Sequence, residues 1–118
     1  MKNTVQDIEK LQTDFQQCRK LFIALGDETR QQLLCIMLSG QCSGSRVVDI
    51  AEKMNLSRPA VSHHMQILKD AGIVKARKEG TFIYYYLDIE ESETEKVIRL
   101  FSDIKQVMRN VPDREGDD

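Results

Sequence analysis

Arg58, Ser62, His63, Gln66 and Lys69 are five hydrogen-bonding side chains within a dozen residues. With Val61, Met65 and Leu68 turned inward on a helix, these five point outward or flank the exposed stripe. Guanidinium, hydroxyl, imidazole, amide and ammonium groups are the kinds that reach base edges and phosphates. An ordinary solvated helix face would carry the same residue types, so the stretch alone does not decide the matter. Its neighbours do: Lys75, Arg77 and Lys78 precede a glycine turn, which sets a basic tip beside the polar helix, where flanking phosphates would run. Residues 57–81 hold five bases against two acids, net +3, while residues 88–118 hold ten acids against five bases, net −5. The overall charge of −2 therefore conceals a local basic edge, as binding DNA with one edge requires.

Other reactive groups give weaker patterns. His63 and His64 are adjacent, about 100° apart around a helix, and cannot share one role. His63 is assigned to DNA and His64 to the half-buried flank, and a zinc site built from the pair is disfavoured because helical ligands need i, i+4 spacing. The three cysteines, Cys18, Cys35 and Cys42, are too few and too irregular for a disulfide framework. Cys35 reads as a small buried hydrophobe on a core helix, and Cys42, in a Ser/Gly loop, as the more exposed thiol. In Tyr84-Tyr85-Tyr86, alternation sends Ile83, Tyr85 and Leu87 to one face, which favours core packing of Tyr85 over base stacking. No Gly-rich phosphate loop, paired carboxylates or nucleophile elbow is present, which argues against an enzyme.

The elements that must hold these groups follow from periodicity. Val5, Ile8, Leu11, Phe15, Cys18, Phe22 and Leu25 recur at steps of three and four and predict a first helix ended by Gly26. Asp27 caps a second helix carrying Leu33, Leu34, Ile36, Met37 and Leu38, expected to be the central core helix. After a loop at 41–45, a short helix uses Val47, Val48, Ile50, Ala51 and Met54, with Asn55 as its C-terminal cap. Ser57 caps the fourth helix, with Pro59 in its first turn, where a missing N–H costs nothing. Val74–Lys78, a turn at Glu79-Gly80 and Phe82–Leu87 read as a β-hairpin. Val97, Phe101, Ile104, Met108 and Val111 mark a last helix.

The fold class is mainly α with a small β-hairpin, a winged helix-turn-helix, with Leu56 as the apolar residue of the turn. At 118 residues, 41% hydrophobic and 31% charged, one globular domain at 1–111 and a disordered acidic tail at 112–118 are expected. Apolar runs fall short of the roughly 20 residues of a membrane span, and the polar start lacks a secretion signal, which implies a cytoplasmic protein without a membrane partner. The first and last helices expose stripes that a small domain cannot cover, Val5, Ile8, Leu11 and Phe15, and Val97, Phe101, Ile104 and Met108. They should pair across a two-fold axis in a homodimer.

Over residues of about 20–105, "LFIALGDETRQQLLCIML" and "DIAEKMNLSRPAVSHHMQILKDAGIVKARKEGTFIYYYLD" resemble the ArsR/SmtB family of dimeric repressors. The resemblance implies a sequence-specific repressor binding a palindromic double-stranded operator and released by a signal the sequence does not name. It places base contacts at Arg58, Pro59, Ser62 and His63 and wing contacts from about Arg77 to Thr81; Pro59 replaces a polar residue, so its contact is apolar or absent. The family's thiolate pair before an aspartate is missing from Arg46-Val47-Val48-Asp49, and no histidine follows Asp88, so neither metal site is expected and no cofactor is implied. Cys35 matches one cysteine of the family's dithiol sensors, and Gln106 stands at the place of its partner. A thiol switch, if any, would use Cys42 with Cys18 or Cys35. The alternative function is a winged helix serving protein–protein contact alone, which would have no need of the bases Arg58, Arg77 and Lys78 beside each other in space.

Overall fold

The computed structural model describes residues 2–40 and 43–114. Five helices and a small sheet follow in the order α1 (Val5–Leu25), α2 (Glu28–Ser39), β1 (Ser45–Arg46), α3 (Val47–Met54), α4 (Arg58–Asp70), β2 (Val74–Glu79), β3 (Phe82–Leu87) and α5 (Glu91–Arg109). The caps explain the boundaries. Asp27 accepts from the Arg30 amide at the start of α2, and Ser57 accepts from the Ala60 amide at the start of α4. Asn55 ends α3 in the left-handed region at φ 55°, which a short polar side chain tolerates. The end of α1 leaves four carbonyls without intrahelical partners, and each finds a donor. Phe22 O receives the Gly26 backbone amide at 2.8 Å, Leu25 O the Gln31 side-chain amide at 2.7 Å, and Ile23 O and Ala24 O the Arg30 guanidinium at 3.2 and 2.7 Å.

The sheet is antiparallel in the order β1-β3-β2. Glu79 pairs with Phe82, so the hairpin turn is Gly80-Thr81, one residue later than the sequence suggested, with Gly80 at φ 60°. Strand β1 falls where a loop and a helix start were expected, since two residues are too few to show alternation. Gly44 admits it: at φ 126°, a Cβ there would meet Tyr84 Cβ at 2.9 Å. Tyr85 is half-buried, but Ile83 and Leu87 on its face are exposed, so that face is not the core packing expected of it. Burial falls along β2 from Val74 to Glu79 as the hairpin projects away from the helices.

The chain forms two compact units, one of residues 1–19 and 91–118 and one of residues 20–90. In the second, Leu33 and Met37 of α2, Ile50 and Ala51 of α3, Val61, Met65 and Leu68 of α4, and Ile73 and Val74 are buried. Helix α2 is less central than its composition suggested. Its apolar run is continuous, so the helical twist spreads it around all sides, and only residues four apart can share a buried face. Cys35 is exposed on it, contrary to the buried position expected from the apolar run.

In the first unit, Cys18, Leu100 and Val107 are buried beside one acid, Asp14, which is 6% exposed. Asp14 Oδ2 has no hydrogen-bond partner among the described residues, and Lys10 Nζ stands 3.9 Å away while making an ion pair with Asp103. The neighbouring Asp103, then burial, holds the Asp14 carboxyl above the usual range; Asp14, then Lys10, holds Asp103 below it. A raised carboxyl adds stability below its unfolded value that is lost as pH rises through its folded value; the lowered Asp103 adds stability above its unfolded value that is lost as pH falls. Asp14→Asn supplies an amide donor that can face Asp103 and removes the titration. It is expected to raise the melting temperature near neutral pH by about 4 °C, the shift that about 1 kcal/mol produces in a small domain, with no gain in acid. Thermal unfolding at the two pH values checks this, and an equal loss at both would overturn it.

Candidate nucleic-acid interface

Helix α3, the link Asn55-Leu56-Ser57 and helix α4 form the helix-turn-helix, and β2 and β3 form the wing. Val61, Met65 and Leu68 are fully buried and fix the rotation of α4 about its axis. Arg58, Pro59, Ser62, His63, Gln66 and Lys69 are consequently exposed together. They are not equally available. The Gln66 amide donates to Asp70 Oδ1 at 2.8 Å, whereas Arg58 and His63 have no ion-pair partner among the described residues. His64, one residue on, is half-buried, and its Nδ1 lies 3.4 Å from the Arg30 guanidinium.

Pairing register divides the wing bases. Lys75, Arg77 and Glu79 share a face with Tyr86, Tyr84 and Phe82, while Lys78 lies on the opposite face with Ile83. Arg77 and Lys78, expected beside each other, thus point to opposite sides of the hairpin. Arg77 also has structural partners: it donates to the Ser43 carbonyl, stacks 5.0 Å from the Tyr84 ring centre and stands 3.5 Å from Glu79. Lys75 pairs with Asp88 at 3.2 Å, which raises its ammonium above the usual range. Lys78 and Thr81 are exposed. Arg46, given no place at the wing in the sequence reading, sets its guanidinium 4.7 Å from the centre of the Phe82 ring and 3.3 Å from Asp49. Only the unseen strand β1 brings it to the wing.

The thiols stand differently from expectation. Burial, then the charges of Asp14 and Glu93, pushes the Cys18 thiol up, which disfavours the thiolate that exchange requires. Cys35 lines an open groove with Gln31, Gln32, Lys53 and Met54, and Cys42 lies outside the described residues. Among the described residues no group of three or more His, Cys, Asp or Glu is arranged to hold a metal ion, and no helix is long and apolar enough to cross a membrane.

The profile described as bacterial regulatory protein, arsR family, matches residues 27–76, from the cap of α2 into β2. An uncharacterized HTH-type transcriptional regulator of Methanocaldococcus jannaschii is 37% identical over 90 residues, covering 76% of this chain and 97% of that protein. The transcriptional repressor SdpR of Bacillus subtilis is 40% identical over 68 residues, covering 58% of this chain and 72% of its own. Among solved structures, a homodimeric winged helix-turn-helix DNA-binding domain from Mycobacterium bovis matches with TM-score 0.56 and 25% identity, covering 100% of this chain and 98% of that one.

Proposed function

The chain belongs to the arsR family of bacterial regulatory proteins, a winged helix-turn-helix transcriptional regulator and not an enzyme, and from this we propose that it is a sequence-specific DNA-binding repressor. The observation that carries the reading is the exposed face of α4, where Arg58, Ser62 and His63 stand out from a helix whose rotation three buried side chains fix. Such a face suits the major groove. Arg58 and His63 read bases, Pro59 offers only an apolar contact, and Gln66 and Lys69 lie further along the groove. Lys78 and Thr81 meet phosphates, with Arg77 and Lys75 shaping the wing as well as adding positive charge.

The repressor acts as a homodimer in the cytoplasm. Support comes from the apolar residues left exposed in the first unit, Val5, Ile8, Phe15, Phe101 and Met108, with Leu11, Val97 and Ile104 half-buried, and from the homodimeric Mycobacterium bovis relative. Two-fold symmetry then calls for a palindromic operator with half-sites about one helical turn apart. A signal that is still to be identified releases it.

Selection from a pool of random duplexes by the purified protein, followed by sequencing, tests the reading. The expected result is enrichment of one sequence with two-fold symmetry. A pool that emerges unchanged, or no retained duplex at moderate salt, would overturn it in favour of a winged helix devoted to protein contact.

A further inference from the structure

Arg30 is a junction between three elements. Its side chain is 12% exposed, and its guanidinium holds the Ile23 and Ala24 carbonyls at the end of α1 and stands 4.0 Å from the Asp27 carboxylate that caps α2. The remaining direction of Nη1 is toward His64 Nδ1 on α4, at 3.4 Å. A guanidinium donates only and keeps its charge, so His64 Nδ1 must be the acceptor, with the ring proton on Nε2. This geometry holds only for the neutral imidazole; a proton on Nδ1 removes the acceptor and sets one cation against another. Among the described residues, the titratable and charged groups facing His64 are Arg30 and Asp27 at the α1–α2 corner and, on its own helix, His63, whose ring centre is 5.9 Å away. Asp27 offsets part of the repulsion, but its carboxylate is already engaged by the Arg30 amide at 3.0 Å.

His64 occupies the edge of α4 that turns from the buried stripe toward this corner, and His63 beside it belongs to the exposed face. A bond at His64 therefore adds a polar tie at the edge of α4, beside the buried stripe that fixes its rotation, without touching DNA. We infer that neutral His64 is a positioning residue that ties the recognition helix to the α1–α2 corner through Arg30, and that its protonation loosens this tie and weakens DNA binding in acid. The inference rests on the DNA-binding reading above. Because a histidine near phosphates ordinarily binds DNA better when charged, the expected sign is opposite to that of a direct contact such as His63.

The test compares a protein that retains His64 with one carrying His64→Asn, whose side-chain oxygen supplies an acceptor at the δ position and does not titrate. Both are made in a His63→Asn background, so that the chain holds one titratable imidazole at most. The probe is the duplex enriched from the random pool, with binding followed by anisotropy at fixed salt from about pH 8 to about pH 5.5, the interval in which histidines change charge. The His64 protein is expected to lose about tenfold more affinity across that interval than His64→Asn, the worth of one hydrogen bond to a charged group. A merely structural role moves both curves together, and parallel curves would overturn the inference. Amide resonances of α4 in the free protein give a second reading that needs no DNA. They are expected to move with pH when His64 is present and to stay fixed in His64→Asn; resonances that ignore His64 would overturn the tie even if duplex binding is real. If they shift while no duplex is retained at any pH, the DNA-binding reading fails and the tie itself stands.

Discussion

Phe15→Glu is expected to turn the protein into a monomer at micromolar concentration and to remove most of its affinity for DNA. Phe15 is 49% exposed on α1, in line with Ile8 and with the other apolar residues that the first unit leaves uncovered. A two-fold contact through this surface would bury the ring twice, once from each protomer. A carboxylate in its place would have to be buried against the apolar residues of the partner, a charge that costs about 3–5 kcal/mol where it is left uncompensated. That corresponds to roughly two to four orders of magnitude in the dimer constant. The buried residues of the unit, Cys18, Leu100 and Val107, do not include Phe15, and glutamate is a good helix former, so the helical signal should remain. Without the dimer, each chain holds one half-site. Affinity should then fall steeply, and the slope of log K against log salt should roughly halve, because half the phosphates are neutralised. Light scattering and a salt titration of binding check both consequences. A variant that scatters as a dimer would overturn the assignment of this surface.

The helices were legible because their ends carry chemistry: Asp27 and Ser57 at N-caps, Asn55 at a left-handed C-cap, Gly26 after α1. Within α1, however, the residues that end up buried are Asp14, Cys18, Leu21 and Ala24, not the full stripe of large apolar side chains. A hydrophobic period identifies a helix with an apolar side but does not separate a side that faces its own core from one that waits for a partner. Asp14 sits four residues before Cys18 on the buried side, and an acid at such a spacing was the available sign of a buried carboxyl group in the first unit.

The candidate site was readable in its helix and less so in its wing. Once Val61, Met65 and Leu68 face inward, the positions of Arg58, Ser62 and His63 follow from the helical period alone. The wing bases obey a pairing register, and register depends on a turn whose position was misplaced by one residue, at Gly80-Thr81 rather than Glu79-Gly80. The contacts of Arg77 with Ser43 and Tyr84, and of Arg30 with His64, join residues 34 apart in each hydrogen-bonded pair, and no local pattern announces a partner at that distance. Cys35 followed the same logic in reverse: its apolar neighbours made it look buried, although it lies on the side of α2 that Leu33 and Met37 leave outward.

His63→Ala and Lys78→Ala are expected to fail in different ways, and the difference measures how this surface reads DNA. A side chain that bonds a base edge contributes discrimination of about 1–3 kcal/mol against the wrong base. His63→Ala, like Arg58→Ala, should therefore cost the enriched duplex about tenfold to a hundredfold in affinity while leaving binding to random duplex nearly unchanged. Lys78 faces away from the Arg77 side of the hairpin and has no ion-pair partner among the described residues, so its ammonium is available to a phosphate. Removing it should weaken enriched and random duplexes alike and lower the salt slope by about 0.9, the share of one neutralised phosphate. Lys78 is a cleaner probe than Arg77, because Arg77→Ala also releases the Ser43 carbonyl and the Tyr84 ring and would loosen β1 against the wing. Arg77→Ala should accordingly show a lower melting temperature along with its weaker binding, whereas Lys78→Ala should melt as the wild type does. Anisotropy on both duplexes at several salt concentrations separates the cases. If His63→Ala and Lys78→Ala lost enriched and random binding in the same proportion, the division between a base-reading helix and a phosphate-holding wing would not describe this protein.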